Sequence, residues 1–525
     1  MRRRLGSVLL LLILAGSASV ACSDSSQPKD QRPGGTPSGS PAGDSAERSS
    51  GRPAITATWP ASPPARICGD TKILTGPATP PAGAVVVPAG DNSSWAKTWN
   101  TPTFAKAGTT YWFAPGVHTL GEGEFDQIGP EDDTTYIGAP GAVIDGQHKN
   151  LLAFGGEPSN VTITYLTIRN FGTGQDNNDE GVVNHDRGDN WTVSHNTLID
   201  NDGAAVMLGS GSVTTYNCLK DNGQYGFSGL PHQDRSSAKG VLLDHNEIVG
   251  NNTDDWEKLR EGCGCTGGGK FWEVSGAVVT NNYVHDNKGA GLWADYNNRD
   301  FLFENNWIEA NDAEAIMYET SYNFMIRNNV MIRNGLVEGK KSFGGVGDSF
   351  PMAAIYISES GGDVRAGDRF AVSEIHNNYL RDNWDGVALW ENSDRFCRPA
   401  EEDSDVTAGC PFFSRVYGER NKTQNIRIHD NEFHFDKSNT GVKGAPGCTN
   451  TYCGRNSVFS NYGINKTYRG DVIARAITFE QHNTWYNNAY FGALHFQPFD
   501  VGRDVSFRQW QALPYSQDAG STHLR

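Results

Sequence analysis

Counted from the second asparagine of three repeats, a carboxylate stands eight residues on: Asp295 after Asn287, Glu319 after Asn311 and Glu391 after Asn383. The same offset from Asn201 gives Gly209, and an intervening stretch, IYISES at 355–360, puts Ser358 or Glu359 near the equivalent point. Carboxylates recurring at one position of a repeat stack on one another, and stacked like charges persist only with compensation. A shared proton, a cation or a neighbouring Lys or Arg supplies it. A carboxyl kept protonated beside an ionised partner is what general acid–base catalysis needs, and two carboxyls flanking a glycosidic bond are the machinery of its hydrolysis. Asp295, Glu319, Glu391 and Glu359 are therefore the candidate catalytic residues. A separation of about 5–5.5 Å implies retention at the anomeric carbon and about 6.5–9.5 Å inversion. Adjacent rungs (Asp295/Glu319) suit the first and rungs two apart (Glu319/Glu391) the second.

Trp293, Tyr318 and Trp390 lie one or two positions before these acids, and Trp272 and Lys270 occupy the stretch before. Ring faces stack on sugar C–H surfaces, so these five are the candidate substrate-binding residues. Strand side chains alternate between faces, which leaves core packing as the competing reading for Tyr318 and Trp390. A lyase would use the same acids to hold Ca²⁺ against a uronate, with Lys270, Arg299 or Arg327 taking the proton. Hydrolysis needs no cofactor. His185 and Asp186 join such a groove only if it extends over several repeats. Cys263 and Cys265 lack a second pair at zinc spacing, so no metal is assigned to them.

The elements that must position these residues repeat. The stretches WTVSHNT (191–197), VLLDHNE (241–247), AVVTNNY (277–283), FLFENNW (301–307), FMIRNNV (324–330), SEIHNNY (373–379), NIRIHDNE (425–432) and ITFEQHNT (477–484) each run a short alternating strand into an Asn. Those asparagines are Asn196, Asn246, Asn282, Asn306, Asn329, Asn378, Asn431 and Asn483, with Asn217 in a shorter variant. The closest spacings, 24 from Asn282 to Asn306 and 23 from Asn306 to Asn329, are those of a solenoid rung. Asn tolerates the left-handed backbone of a tight corner, and its amide can bond to the Asn of the next rung. No Leu framework supports a leucine-rich solenoid, and no Trp-Asp signature supports a propeller.

This pattern resembles the pectate-lyase-like right-handed parallel β-helix proteins, in particular secreted bacterial ones sharing the block from Cys263 to Asn334 with GKFWE (269–273), GLWAD (291–295) and IMYETSYN (316–323). The resemblance implies an all-β fold, a right-handed parallel β-helix with N- and C-terminal caps, and a polysaccharide as partner. It implies less about activity, since such folds carry lyases, hydrolases, epimerases and non-catalytic fibres. Its hydrolases are mostly inverting, which favours the wider carboxylate pair. A glycan-binding or adhesin scaffold is the non-catalytic alternative.

The rest of the chain frames this body. Arg2, Arg3 and Arg4 precede an apolar Leu9–Leu14 core, followed by Ser19-Val20-Ala21-Cys22, a lipobox-like ending to a signal peptide (1–22). Ser19 departs from the usual apolar residue there, and plain cleavage after Ala21 is the alternative. Lipidation at Cys22 would make the protein a surface-anchored lipoprotein, touching the membrane only through that anchor; otherwise it is secreted. Residues 23–64, dense in Ser, Pro and Gly, read as a flexible linker. Residues 65–134 read as the N-terminal cap and first rungs, 135–500 as the β-helix and 501–525 as the C-terminal cap, giving a monomer. With a net charge of −17 and no basic run past residue 4, nucleic acid is excluded as a partner. Besides Cys22 the cysteines are even in number, and Cys397/Cys410 and Cys448/Cys453 are candidate local disulfides of an oxidising compartment.

Overall fold

The computed structural model describes residues 59–95, 106–172, 181–232, 236–256, 266–343, 352–392, 421–442, 447–448, 453–461, 475–498 and 504–524. These coil into rungs of up to three short strands, and each strand pairs in parallel with its counterpart one rung away. Three sheets result: sheet 1 with 15 strands, sheet 2 with 14 and sheet 3 with 10 among the described residues. One rung runs Arg299–Glu304 in sheet 1, Trp307–Glu309 in sheet 2 and Ile316–Glu319 in sheet 3; the next runs Tyr322–Arg327, Val330–Ile332 and Ile355–Ser358. Parallel pairing already starts at Val85–Val87 against Thr110–Phe113.

Period-two alternation dictates which side chains turn inward. In sheet 1, Leu243, Val279, Phe303, Ile326, Ile375 and Ile428 stack in register along one inward column. In sheet 2, Leu198, Leu219, Ile248, Val284, Ile308 and Met331 form another. All belong to one continuous core.

Buried asparagines hold the corners. Between sheets 1 and 2, Asn196, Asn217, Asn246, Asn282, Asn306, Asn329, Asn378, Asn431 and Asn488 form a ladder, each Nδ2 donating to the next Oδ1 at 3.0–3.2 Å. A second ladder between sheets 2 and 3 links Asn201, Asn222, Asn251, Asn287, Asn311, Asn334 and Asn383 at 2.9–3.0 Å. Two expectations need correcting. The left-handed residue is not the ladder Asn but the one before it: His195, Tyr216, His245, Asn281, Asn305, Asn328, Asn377, Asp430 and Asn487 have φ of 51–58°. The ladder also ends on Asn488 rather than Asn483, because Ala476–Glu480 forms a π-helical turn and the last sheet 1 strand starts at Thr484.

The C-terminal end is closed by the helix Phe507–Gln511, which carries a Ser506/Gln509 capping box. Its Trp510 is fully buried and donates to Asp518 at 2.6 Å, and Thr522–Leu524 adds the last strand of sheet 2. Disulfides join Cys68 to Cys218 and Cys448 to Cys453. The expected signal peptide with Cys22, residues 23–58 of the expected linker, and Cys263, Cys265, Cys397 and Cys410 lie outside the described residues.

Residues 59–68 lie along the outer face of sheet 2. Trp59 packs on Tyr379 with ring centroids 5.7 Å apart, Arg66 pairs with Glu247 at 2.8 Å, and Cys68 is bonded to Cys218. Cys218, Glu247, Tyr283, Trp307, Val330 and Tyr379 occupy one register column. Five rung steps cover about 24 Å, a span that the segment with Pro60, Pro63 and Pro64 reaches only when extended. The end of the expected linker is therefore laid on the body as a strap.

Candidate functional site

The acids fall on sheet 3. Its strands Gly267–Trp272, Leu292–Asp295, Ile316–Glu319, Ile355–Ser358 and Val387–Asn392 stack in register. Phe271, Ala294, Tyr318, Ile357 and Leu389 share one column and belong to the core, so the residues on either side of them face outward. Two outward columns result. One is Trp272, Asp295, Glu319, Ser358 and Trp390; the other is Lys270, Trp293, Met317, Tyr356 and Ala388.

Asp295 and Glu319 are thus direct neighbours on adjacent rungs, as their offsets predict. Glu391 is not in their column, and this expectation is corrected. The strand's first residue stands five positions after the ladder Asn at Asn287–Leu292 and Asn311–Ile316, but four after it at Asn383–Val387. The shorter turn moves every later side chain of that strand by one, so Trp390 takes the column position and Glu391 turns the other way. There the Glu391 carboxylate accepts from Thr423 N and Gln481 Nε2, both at 2.7 Å, and is 1% exposed. Glu359 is likewise displaced: Ser358 holds the column, while Glu359 sits past the strand end at a φ of 45° and accepts from the Ser358 hydroxyl.

Tyr318 is corrected from substrate contact to core. Its ring packs on Phe301 and Phe324 at 5.8 and 4.8 Å, and its hydroxyl donates to Tyr322 O at 2.8 Å. Trp390 does face outward, but it is fully buried against Tyr356 in a cluster with Trp293 and Met317. It presents no open face to a sugar. His185 lies rungs away, and the Asp186 carboxylate accepts from Gly156 N at 2.5 Å. Arg327 is on sheet 1, paired with Glu304 at 2.7 Å, and Arg299 also belongs to that sheet.

What the fold brings together is Lys270, Trp272, Trp293, Asp295 and Glu319. The Lys270 ammonium is 3.0 Å from Asp295 Oδ2 and sits 3.9 Å above the Trp293 ring and 5.4 Å from that of Trp272. The Trp293 indole N–H donates to Glu319 Oε2 at 3.0 Å. Asp295 and Glu319 are 3% and 0% exposed, whereas Lys270 and Trp272 are half-buried. The second Asp295 oxygen, Oδ1, is buried and has no hydrogen-bond partner among the described residues. Offsets along the sequence missed Glu314, at the start of the Glu319 strand. Burial, reinforced by the Glu319 charge, pushes its carboxyl up to about 8. Its signal was an acid in the turn itself, Asn311-Asp312-Ala313-Glu314, which strand counting passes over.

Among the described residues no group of three or more His, Cys, Asp or Glu side chains is arranged to hold a metal ion. The compensation for the stacked acids is the Lys270 ammonium and the Trp293 N–H, so this donor set does not fit the Ca²⁺ of the lyase alternative.

Residues 180–365 match the family described as the right handed beta helix region. Comparison with curated proteins finds none that matches. Among solved structures, the chain is similar to the A-module of a mannuronan C-5 epimerase from Azotobacter vinelandii, at 14% identity and a TM-score of 0.44, covering 67% of this chain and 87% of that one. It is also similar to the catalytic unit of a thermostable α-1,3-glucanase from Streptomyces thermodiastaticus, at 13% identity and a TM-score of 0.44, covering 85% and 70%. At this level of likeness, activity and substrate rest on this chain's own residues. Three parallel sheets, two asparagine ladders and the family match together make the chain a right-handed parallel β-helix protein.

Proposed function

We propose that the protein is a carbohydrate-active enzyme, a glycoside hydrolase that cleaves a polysaccharide with Asp295 and Glu319. The observation that carries this reading is two buried carboxylates on adjacent rungs of one outward face, each with a different partner. Asp295, 3.0 Å from the Lys270 ammonium, is the group for attack or for stabilising a cationic sugar. Glu319, beside it and accepting from the Trp293 indole N–H, is the proton carrier to the leaving oxygen. Rungs stack about 4.8 Å apart, close to the about 5–5.5 Å carboxyl separation of retaining enzymes, which supports a covalent glycosyl intermediate and retention. With Glu391 out of the column, the wider inverting pair loses its second member. Export, with a lipid at Cys22 holding the body at the cell surface, accompanies this reading, and the two disulfides agree with it.

The test is a product assay of the full chain on neutral and uronate polysaccharides. New reducing ends without unsaturated uronates, insensitive to a chelator and reduced at least 10³-fold in Glu319→Gln, are expected. Unsaturated products would transfer the chemistry to proton abstraction by Lys270 and overturn hydrolysis. A Glu319→Gln protein as active as the parent would remove Glu319 from catalysis.

A further inference from the structure

We infer that the same face selects a neutral glycan over a polyuronate, through a subsite made of Lys270, Asp295 and the ring of Trp272. This rests on the hydrolase reading for the identity of the groove, but not on turnover itself.

Lys270 Nζ carries three donors, one of them used on Asp295 Oδ2 at 3.0 Å, and its side chain retains 12% exposure. Asp295 Oδ1 is an acceptor, buried and without a donor among the described residues. A bound group must therefore accept from Lys270 and donate to Asp295 within one short span. A sugar hydroxyl does both. A uronate carboxylate only accepts, so it satisfies the lysine and leaves Asp295 Oδ1 facing an anion.

Charge points the same way. Lys270 is already neutralised by Asp295, and Glu319 lies on the next rung. A uronate here would bring a third carboxylate beside Asp295 and Glu319, and like charges that close repel one another. The chain's net charge of −17 adds long-range repulsion of a polyanion.

Trp272 completes the subsite. Trp293 has the lysine over its ring and its N–H committed to Glu319, and Trp390 is fully buried. Trp272 stays half-buried, braced by Tyr296 at 5.2 Å and 39°. Its ring stands directly before Asp295 in the column, one rung away.

The experiment uses the full chain carrying Glu319→Gln, with affinity electrophoresis and calorimetry on a soluble β-glucan, a galactomannan, a xylan, alginate and polygalacturonate at 150 mM salt (a concentration chosen to screen surface charge, about one Debye length of 8 Å). Retention by at least one neutral polysaccharide and by neither polyuronate is expected. Adding Trp272→Ala or Lys270→Met should weaken that retention at least tenfold, and Trp272→Phe should restore most of it. Preferential binding of a polyuronate, lost in Lys270→Met, would overturn the inference. So would neutral binding indifferent to both substitutions, or no binding of any of the five. Neutral binding with the expected pattern, but no products from the parent enzyme, would sink hydrolysis while leaving the subsite standing.

Discussion

Glu247 offers the sharpest test of how the strap is fastened. Its carboxylate is fully buried on sheet 2 and collects four donors: Ile67 N at 2.6 Å, Cys68 N at 2.8 Å, Arg66 at 2.8 Å and His285 Nε2 within 3.1 Å. Burial alone would raise this carboxyl; the bonds from His285, Cys68, Arg66 and Ile67 overcome it and hold the group at about 2 rather than 4.5. That difference is linked to about 3 kcal/mol of strap stability. Arg66 is largely exposed, so its share is screened, and about 2 kcal/mol is the working figure. Glu247→Gln keeps the shape and removes the charge. Hydrogen exchange at the amides of Ile67 and Cys68 should then quicken about 30-fold with the Cys68–Cys218 disulfide intact. The pH dependence has a fixed sign. A depressed carboxyl stabilises above about 4.5, and that contribution fades as pH falls towards 2. Burial opposes the charge on His285, but its bonds to the Asp286 and Glu247 carboxylates prevail and raise its pKa, so its contribution is whole below 6.5 and is lost as pH climbs through the raised value. Protection in the parent should therefore peak between about pH 4.5 and 6.5. Equal exchange in parent and variant at pH 6, or parent protection unchanged down to pH 2, would refute the clamp.

Two further substitutions check the reading of the rungs. Glu391→Ala should cost about 1–3 kcal/mol of stability, because Thr423 N and Gln481 Nε2 both donate to Oε1 and lose that acceptor, while activity per folded molecule stays within twofold. A tenfold loss of activity at unchanged stability would return Glu391 to the catalytic set. Asn306→Ala breaks the first ladder at its centre, stripping the bonds to Val279 O and Asn329 and leaving the Asn282 amide without its acceptor. Denaturant unfolding should register a loss of about 2–4 kcal/mol, against little change for Asn305→Gly, where glycine accepts the left-handed backbone. Equal costs at the two positions would undo the separation of bend from ladder.

Much of this was legible in the sequence because a solenoid repeats its constraints. The ladder asparagines from Asn196 to Asn431 could be found by eye, since each must bond to the one above and no other residue serves both as donor and acceptor there so well. The offset that paired Asp295 with Glu319 held because their two turns have equal length. It failed at Glu391 because a turn one residue shorter inverts the parity of a strand, and turn length between fixed asparagines is visible only once the strand start is known. Tyr318 failed for the same reason in reverse: alternation says that neighbours face opposite ways, but not which of them faces in. The strap was hidden because a Pro- and Ser-rich stretch reads as linker, while what pins it, Trp59 on Tyr379 and Glu247 under Cys68, comes from residues far away in sequence.

The contrast between inward and outward columns also bears on why the sheet 3 acids are there. An exposed carboxylate costs a solenoid nothing, and the outer faces of sheets 1 and 2 carry many, such as Glu304 paired with Arg327 and Asp286 beside His285. Asp295 and Glu319 are instead almost wholly buried, with Oδ1 of the former lacking any hydrogen bond among the described residues. Desolvating a charge is expensive, and a Lys partner offsets only part of that cost. Apolar residues in both positions would extend the cluster of Trp293, Met317 and Tyr356 and would be expected to stabilise the rung. A face kept polar against its own stability, beside a tryptophan that still reaches solvent, is better explained by the binding and cleavage proposed for it than by folding.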